Sequence, residues 1–345
     1  MNKIKNIALK VPRKLGEETR RILLERNLLR TDLRIKRNQE YLYLPLIRED
    51  DNLPNLPVVV KEFQLQEKRN IYYKDLLPVE IRCQLPTSYD VIGDIILIKL
   101  PETLLEYKKD IGDALLKANP HIKTVCRVEA VRGELRVRDI EIIAGEKRTE
   151  TIHREYGVKL YVDVAKTFFS PRLANERRRI SKLVREGETI IDMFTGVAPF
   201  PVMIAKYSHP KKIYAVDKNK EAVFLAKKNV KVNKVEGIVE VLLEDARNLP
   251  NIVEEKADRV IMNLPFSAYK FLKEALQIIK STAIIHYYDI LREEHIEERK
   301  KRLQEEASKQ GFMLEFTNIN KIKTYAPREF YIGMDITAYE KADVA

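Results

Sequence analysis

Four apolar runs in the second half of the chain each end in side chains able to bind a ligand or do chemistry. Ile190-Ile191 runs into Asp192 and the turn Met193-Phe194-Thr195-Gly196-Val197-Ala198-Pro199-Phe200. Lys212 to Val216 ends on Asp217, and Val239 to Leu243 leads into Glu244-Asp245-Ala246. Ala257 to Met262 ends on Asn263-Leu264-Pro265-Phe266. In a parallel sheet all four ends face one crevice, where ligands bind. The loop after Asp192 holds a single glycine, Gly196, whereas a dinucleotide fingerprint needs three, and no Gly-Lys-Ser/Thr follows to cradle a triphosphate. The pattern therefore suits a nucleoside cofactor without phosphates. Such a cofactor needs one acid for an amino group and another for ribose hydroxyls. Asp217 is placed for both ribose hydroxyls, and Asp245 beside Ala246 for the exocyclic amine of an adenine. S-adenosylmethionine meets this description. The plainer reading makes these acids ordinary strand-end caps, which three acids in order plus the asparagine loop argue against.

The elements that must position these residues alternate. Arg172 to Arg185 reads as an arginine-rich helix, and helices are expected at 198–207, 219–233 and 267–280 between the strands. Ala283 to Tyr288 is a fifth strand and Arg292 to Gln310 a charged helix. Phe312 to Ile322 and Phe330 to Tyr339 then pair without a helix between them. This is an α/β, Rossmann-like sheet with a terminal antiparallel hairpin. An α+β middle domain precedes it, with strands at Val91–Leu100, Thr124–Val131, Glu134–Ile143 and Lys159–Val164, a helix from Pro101 to about Ala118, and turns at Arg132-Gly133 and Tyr156-Gly157. A small α/β N-terminal domain reads as a strand at Ile4–Val11, a helix at Leu15–Asn27 and a hairpin of Leu33–Lys36 with Tyr41–Leu46. The polar, proline-broken stretch 49–57 reads as a linker. The expected domains are 1–60, 61–170 and 171–345.

Composition bounds the function. Net charge is +11, which points to a polyanionic partner, nucleic acid first. No apolar run reaches the ~18 residues of a membrane span, and Met1 to Asn6 carries no apolar leader. The two cysteines, Cys83 and Cys126, cannot build a disulfide framework and suit a reducing, cytoplasmic setting. Abundant Lys, Glu and Arg without Trp hints at a heat-adapted source.

Asn263-Leu264-Pro265-Phe266 resembles the Asn/Asp-Pro-Pro-aromatic motif of methyltransferases acting on nitrogens of planar bases, with Leu264 replacing the first proline. With Arg132-Gly133-Glu134-Leu135-Arg136, Ile152 to Gly157, Phe169-Ser170-Pro171-Arg172-Leu173-Ala174-Asn175-Glu176-Arg177, Asp192 to Phe200, His286-Tyr287-Tyr288 and Tyr325 to Glu329, it makes the whole chain resemble the archaeal-eukaryotic tRNA (guanine-N1-)-methyltransferases, which modify guanosine 37 beside the anticodon. The resemblance implies a small first domain that reads the outer corner of tRNA, with the other two domains holding the anticodon stem-loop. Lys10, Arg13, Lys14, Arg20, Arg21, Arg34, Lys36 and Arg37 suit the first role, or form a solvated face.

Guanine N1 is protonated and becomes nucleophilic only when a base removes that proton, while charge builds on O6. By resemblance the base is Glu176 and the O6 stabiliser Arg136, with Asn263 and Pro265 positioning the guanine. Phe168, Arg177, Asp192, Phe194, Gly196, Asp217, Asp245, Ala246 and Asn263 are expected to bind the cofactor, with Phe168 and Arg177 lining either the cofactor or the base pocket. An ion pair of Glu176 with Arg179 is the competing reading and would weaken a base. Arg132 and Arg138 sit beside Arg136 and could equally meet phosphate, and His153 and Arg154 either RNA backbone or a structural partner. No metal is expected, and the enzyme is read as a monomer. Rival readings are methylation of another RNA base nitrogen, a further reaction on a carbon of a wyosine intermediate at position 37, and an RNA-binding module without catalysis.

Overall fold

The computed structural model describes residues 3–50, 55–65, 72–132 and 137–341, with backbone alone for 130–132 and 137–138. The chain forms two compact units, Met1–Leu76 and Leu77–Ala345.

In the first unit β1 (Lys3–Pro12), α1 (Gly16–Glu25), β2 (Lys36–Arg37), β3 (Tyr41–Pro45) and β4 (Val58–Gln64) build an antiparallel sheet of order β2-β3-β1-β4. Alternation along β1 sends Leu9 and Val11 into one cluster with Leu23 of α1 and Leu44, and Ala8 into another with Leu33 and Phe63. β4 crosses the expected boundary at 60. It pairs with β1 from Lys3 opposite Gln64 through Leu9 opposite Val58.

The second unit begins with β5 (Asp90–Ile92), β6 (Ile95–Ile98), α2 (Lys108–Ala118), β7 (Thr124–Arg132) and β8 (Val137–Gly145), forming a sheet of order β5-β6-β7-β8. The single strand expected at 91–100 is two, because Gly93 turns the chain at φ +57° and a Cβ there would come 2.1 Å from Thr151 Oγ1. β9 (Glu150–Glu155) and β10 (Val158–Asp163) form a hairpin whose turn residues Tyr156 and Gly157 both have positive φ.

The remaining elements are α3 (Ala174–Leu183), β11 (Thr189–Asp192), α4 (Pro199–Tyr207), β12 (Lys212–Asp217), α5 (Lys220–Val232), β13 (Val239–Leu243), α6 (Leu249–Ile252), β14 (Ala257–Met262), α7 (Leu272–Gln277), β15 (Ile279–Arg292), α8 (Ile296–Lys309), β16 (Phe312–Ala326) and β17 (Glu329–Glu340). They give a seven-stranded sheet of order β13-β12-β11-β14-β15-β17-β16, parallel as far as β15, with β17 antiparallel to β15 and β16. Strands buried on both faces explain the unbroken apolar runs: Ile190 packs on one side with Ile213 and Phe200, Ile191 on the other with Val216 and Leu272. The core on the first side also takes in Ile95, Leu97 and Cys126, so the middle segment and the seven-stranded sheet share apolar packing. The helix expected at 267–280 is shorter, since β15 already begins at Ile279 and extends to Arg292.

From β11 the chain winds outward to β12 and β13, then returns to β14 on the other side. The carboxyl ends of β11 and β14 therefore flank a topological switch point, the place where open sheets bind ligands. Among the described residues no helix is long and apolar enough to cross a membrane, and no cluster of His, Cys, Asp or Glu could hold a metal.

Candidate active site

A cavity of about 400 Å³ opens at this switch point. The turn after β11 supplies Phe194, Thr195 and Gly196, β12 ends in it with Asp217, and the turn after β13 adds Asp245 and Ala246. The loop after β14 contributes Asn263 to Ser267. Phe168, Ser170 and Arg177 close the wall from the segment leading into α3.

Asp217 braces the turn that it faces. Its Oδ2 accepts from the Gly196 amide at 2.7 Å, and its Oδ1 from Asn219 N at 2.9 Å. Gly196 can accept this geometry because its φ is +56°. Burial raises Asp217 above its ordinary pKa even with these bonds, so further donors would be welcome. Asp245 caps the following turn through Arg247 N at 3.0 Å and meets the Arg247 guanidinium at 3.2 Å. That pair is partly exposed and a ligand amine can replace it at small cost. Phe194 and Phe271 meet edge to face with centroids 5.0 Å apart and give the cavity an aromatic wall. Asp192 does not reach the wall. It lies behind the turn, 1% exposed, with Phe194 N 3.4 Å from Oδ1 and no partner on Oδ2 among the described residues.

Arg177 is 1% exposed and paired with Glu155 of β9 at 2.6 and 2.5 Å. Its two terminal nitrogens also donate to Ser170 O at 3.2 Å, which fixes the chain beside Phe168. Burial pushes Glu155 up, but His153 and Arg177 more than offset it and hold the carboxyl below the usual range. His153 Nδ1 accepts from Gly93 N at 3.2 Å, which leaves Nε2–H facing Glu155.

Asn263 and Pro265 are on the wall. Tyr331 donates its hydroxyl to Asn263 Oδ1. Phe266 sits at φ +70°, uncommon for a bulky residue, and its amide is held at 2.9 Å by the buried Asp289. Asp289 also takes the Tyr287 hydroxyl at 2.6 Å and faces Arg299 at 3.1 Å. Phe266 and Tyr325 stand at the mouth, 48% and 49% exposed, with centroids 5.6 Å apart. Asp289, Tyr325 and Tyr331 were absent from the sequence-based site. An acid inside the apolar run Tyr287-Tyr288-Asp289-Ile290-Leu291 is the signal that marks the first of them.

Glu176 precedes the wall residue Arg177 on α3, is not itself on the wall and is 6% exposed. Arg179 binds both its oxygens at 2.7 and 2.9 Å, as the competing reading expected, and Tyr288 donates to Oε1 at 2.8 Å. Tyr288 lies 6.2 Å from Tyr331, so two tyrosine rings join Glu176 to Asn263. Arg136 falls outside the described residues.

The donor set fits S-adenosylmethionine: a half-satisfied acid at the end of β12, an acid and small residue after β13, aromatic walls, and no phosphate cradle. Fold and cavity together define a class I, S-adenosylmethionine-dependent methyltransferase. Residues 151–315 match the TRM5/TYW2 methyltransferase domain, residues 70–149 the TYW2 N-terminal domain and residues 8–54 the tRNA methyltransferase 5 N-terminal domain. The chain is 40% identical to the tRNA (guanine(37)-N(1))-methyltransferase Trm5b of Pyrococcus abyssi, over 95% of this chain and 98% of that one. The crystal structure of that Trm5b superposes with a TM-score of 0.74, covering 97% of this chain and 99% of the other. A structure of aTrm5 in complex with tRNALeu, 37% identical, covers 96% of this chain and 99% of its own with a TM-score of 0.69. The chain belongs to the Trm5-type tRNA (guanine37-N1)-methyltransferase family.

Proposed function

We propose that the protein transfers a methyl group from S-adenosylmethionine to N1 of guanosine 37 in tRNA. The observation that carries this reading is the convergence of the Asn263-Leu264-Pro265-Phe266 loop and the acids that follow β12 and β13 on one cavity at the switch point, with the buried carboxylate Glu176 linked to Asn263 through Tyr288 and Tyr331. Bound there, S-adenosylmethionine supplies an electrophilic methyl on a sulfonium, whose departure leaves a neutral thioether. Asp217 and Asp245 would hold its ribose hydroxyls and adenine amine. The Asn263 side chain and the carbonyls before Pro265 would meet the guanine edge. Glu176 takes the N1 proton, and the freed lone pair receives the methyl. Arg136 would neutralise the charge gathering on O6. The guanosine must leave the loop stack to enter the cavity. We read the anticodon stem-loop as held by the second unit and the outer corner of tRNA by the first, and the enzyme as a cytoplasmic monomer.

The test is methyl transfer from labelled cofactor to tRNA transcripts carrying G or A at position 37. Label is expected on the G transcript alone, and equal labelling of both would overturn the reading. Arg136→Ala is expected to lower turnover far more than RNA affinity. The exposed Phe266–Tyr325 pair supports a second reading, in which a larger tricyclic base is also accepted at the mouth. A tRNA bearing a wyosine intermediate at position 37 tests it.

A further inference from the structure

The proton transfer outlined above uses only the first member of a buried polar chain behind the cavity. Arg179 holds Glu176 with one edge and Asp335 of β17 with the other, Nη1 to Oδ2 at 2.7 Å and Nη2 to Oδ1 at 3.0 Å. Asp335 also accepts from Asn318 Nδ2 at 3.1 Å and faces His286 Nδ1 at 2.7 Å. His286 Nε2 lies 2.7 Å from Arg259 Nη1, and Arg259 is paired with Glu188 at 2.8 and 3.0 Å. A guanidinium only donates, so Nε2 is the acceptor and the imidazole proton sits on Nδ1, donating to Asp335. Burial, with Arg259 and Arg179 nearby, holds His286 below its ordinary pKa, so the ring is neutral. Three carboxylates, Glu176, Asp335 and Glu188, thus face two guanidinia, Arg179 and Arg259. One negative charge is left over, and of the three carboxylates Glu176 is the one next in sequence to a residue of the cavity wall, Arg177.

We infer that Asp335 is a positioning residue for proton transfer: by holding the far edge of Arg179 it divides that guanidinium between two carboxylates and leaves Glu176 basic enough to accept a proton. The groups around Glu176 agree with this. Tyr288 from β15 supplies a neutral donor, and Arg179 is the one cation bonded to it among the described residues. Hydrogen bonds from His286, Arg179 and Asn318 overcome the effect of burial and hold Asp335 well below the ordinary carboxylate range, so it stays charged and keeps its hold on Arg179. Without that charge the whole guanidinium would act on Glu176 and make it a weaker base.

The inference rests on Glu176 as the general base, and the experiment separates the two. Single-turnover methyl transfer to a tRNA transcript with guanosine 37 is followed against pH for the wild type, Asp335→Asn, Asn318→Ala and Glu176→Gln. Asp335→Asn is expected to lower the plateau rate about tenfold and move the acidic limb down by about one pH unit. KM for tRNA and the dissociation constant of S-adenosylmethionine should stay within about twofold of the wild type. Asn318 is exposed, and its replacement by alanine removes a donor from Asp335, strengthening the hold on Arg179. That limb is expected to move slightly up, and it carries the test if Asp335→Asn does not fold. An unmoved limb in Asp335→Asn, an unmoved or lowered limb in Asn318→Ala, or loss of substrate affinity in step with rate would overturn the positioning role while Glu176→Gln stays inactive. Wild-type rate in Glu176→Gln would overturn the base reading and this inference with it.

Discussion

Burial pushes Asp192 up to about 7 from an ordinary 3.8, because it is enclosed by the sheet with one oxygen unpartnered among the described residues. The folded protein therefore binds a proton at this site more readily than the unfolded chain does. Its favourable contribution is present below the unfolded value and is lost as pH rises through about 7. Asp192→Asn should accordingly gain on the wild type by up to about 3 kcal/mol between pH 5 and pH 8 in urea denaturation of the ligand-free protein. The same difference between the two proteins at both pH values would refute the assignment. Asp217 acts on the ligand side. Asp217→Ala is expected to weaken S-adenosylmethionine about 10- to 100-fold by calorimetric titration, with the far-ultraviolet circular dichroism unchanged. Unchanged affinity would remove Asp217 from the cofactor site. Both acids were legible in the sequence because each closes an apolar run. That Asp217 lies on the wall and Asp192 behind it was not, since the two stand at similar positions after β-branched residues and differ only in what the turn covers.

The elements around the cavity are locked by buried polar pairs between segments far apart in the chain. Arg177 on α3 and Glu155 on β9 form one such pair, and Asn229 on α5 another lock. Its side chain accepts from Tyr161 N at 2.6 Å and donates to Tyr161 O and Val197 O at 3.1 and 2.9 Å, which fastens the β9–β10 hairpin to the helix. Replacing Arg177 with Met leaves Glu155 charged, buried and without its guanidinium. A loss of about 3–5 kcal/mol is expected in chemical denaturation of the intact chain. A loss below about 1 kcal/mol would mean that water reaches the pair. The strand-helix alternation that carries these elements followed directly from periodicity. β4 and the splitting of β5 from β6 did not, because their pairing depends on strands tens of residues away and on the contact of Gly93 with Thr151.

For the molecule as a whole, the excess of 63 Lys and Arg over 52 Asp and Glu sets a long-range field that favours a polyanion. Affinity for tRNA should fall linearly in log–log form with salt, at least about tenfold between 50 and 200 mM. A flat dependence would place recognition in base contacts rather than phosphates. Charge, the alternation of strands and helices along the chain, the acids at the strand ends and the asparagine-proline loop are local or additive properties, so the sequence by itself determined the class of fold and the cofactor type. Only the tertiary structure decided which carboxylates share a guanidinium, that Asp289 braces Phe266, and that Tyr331 and Tyr288 connect Asn263 to Glu176. Those contacts join β14, β15, β17 and α3 across the sheet, and burial fixes their energies. Neither spacing nor composition records which buried groups meet.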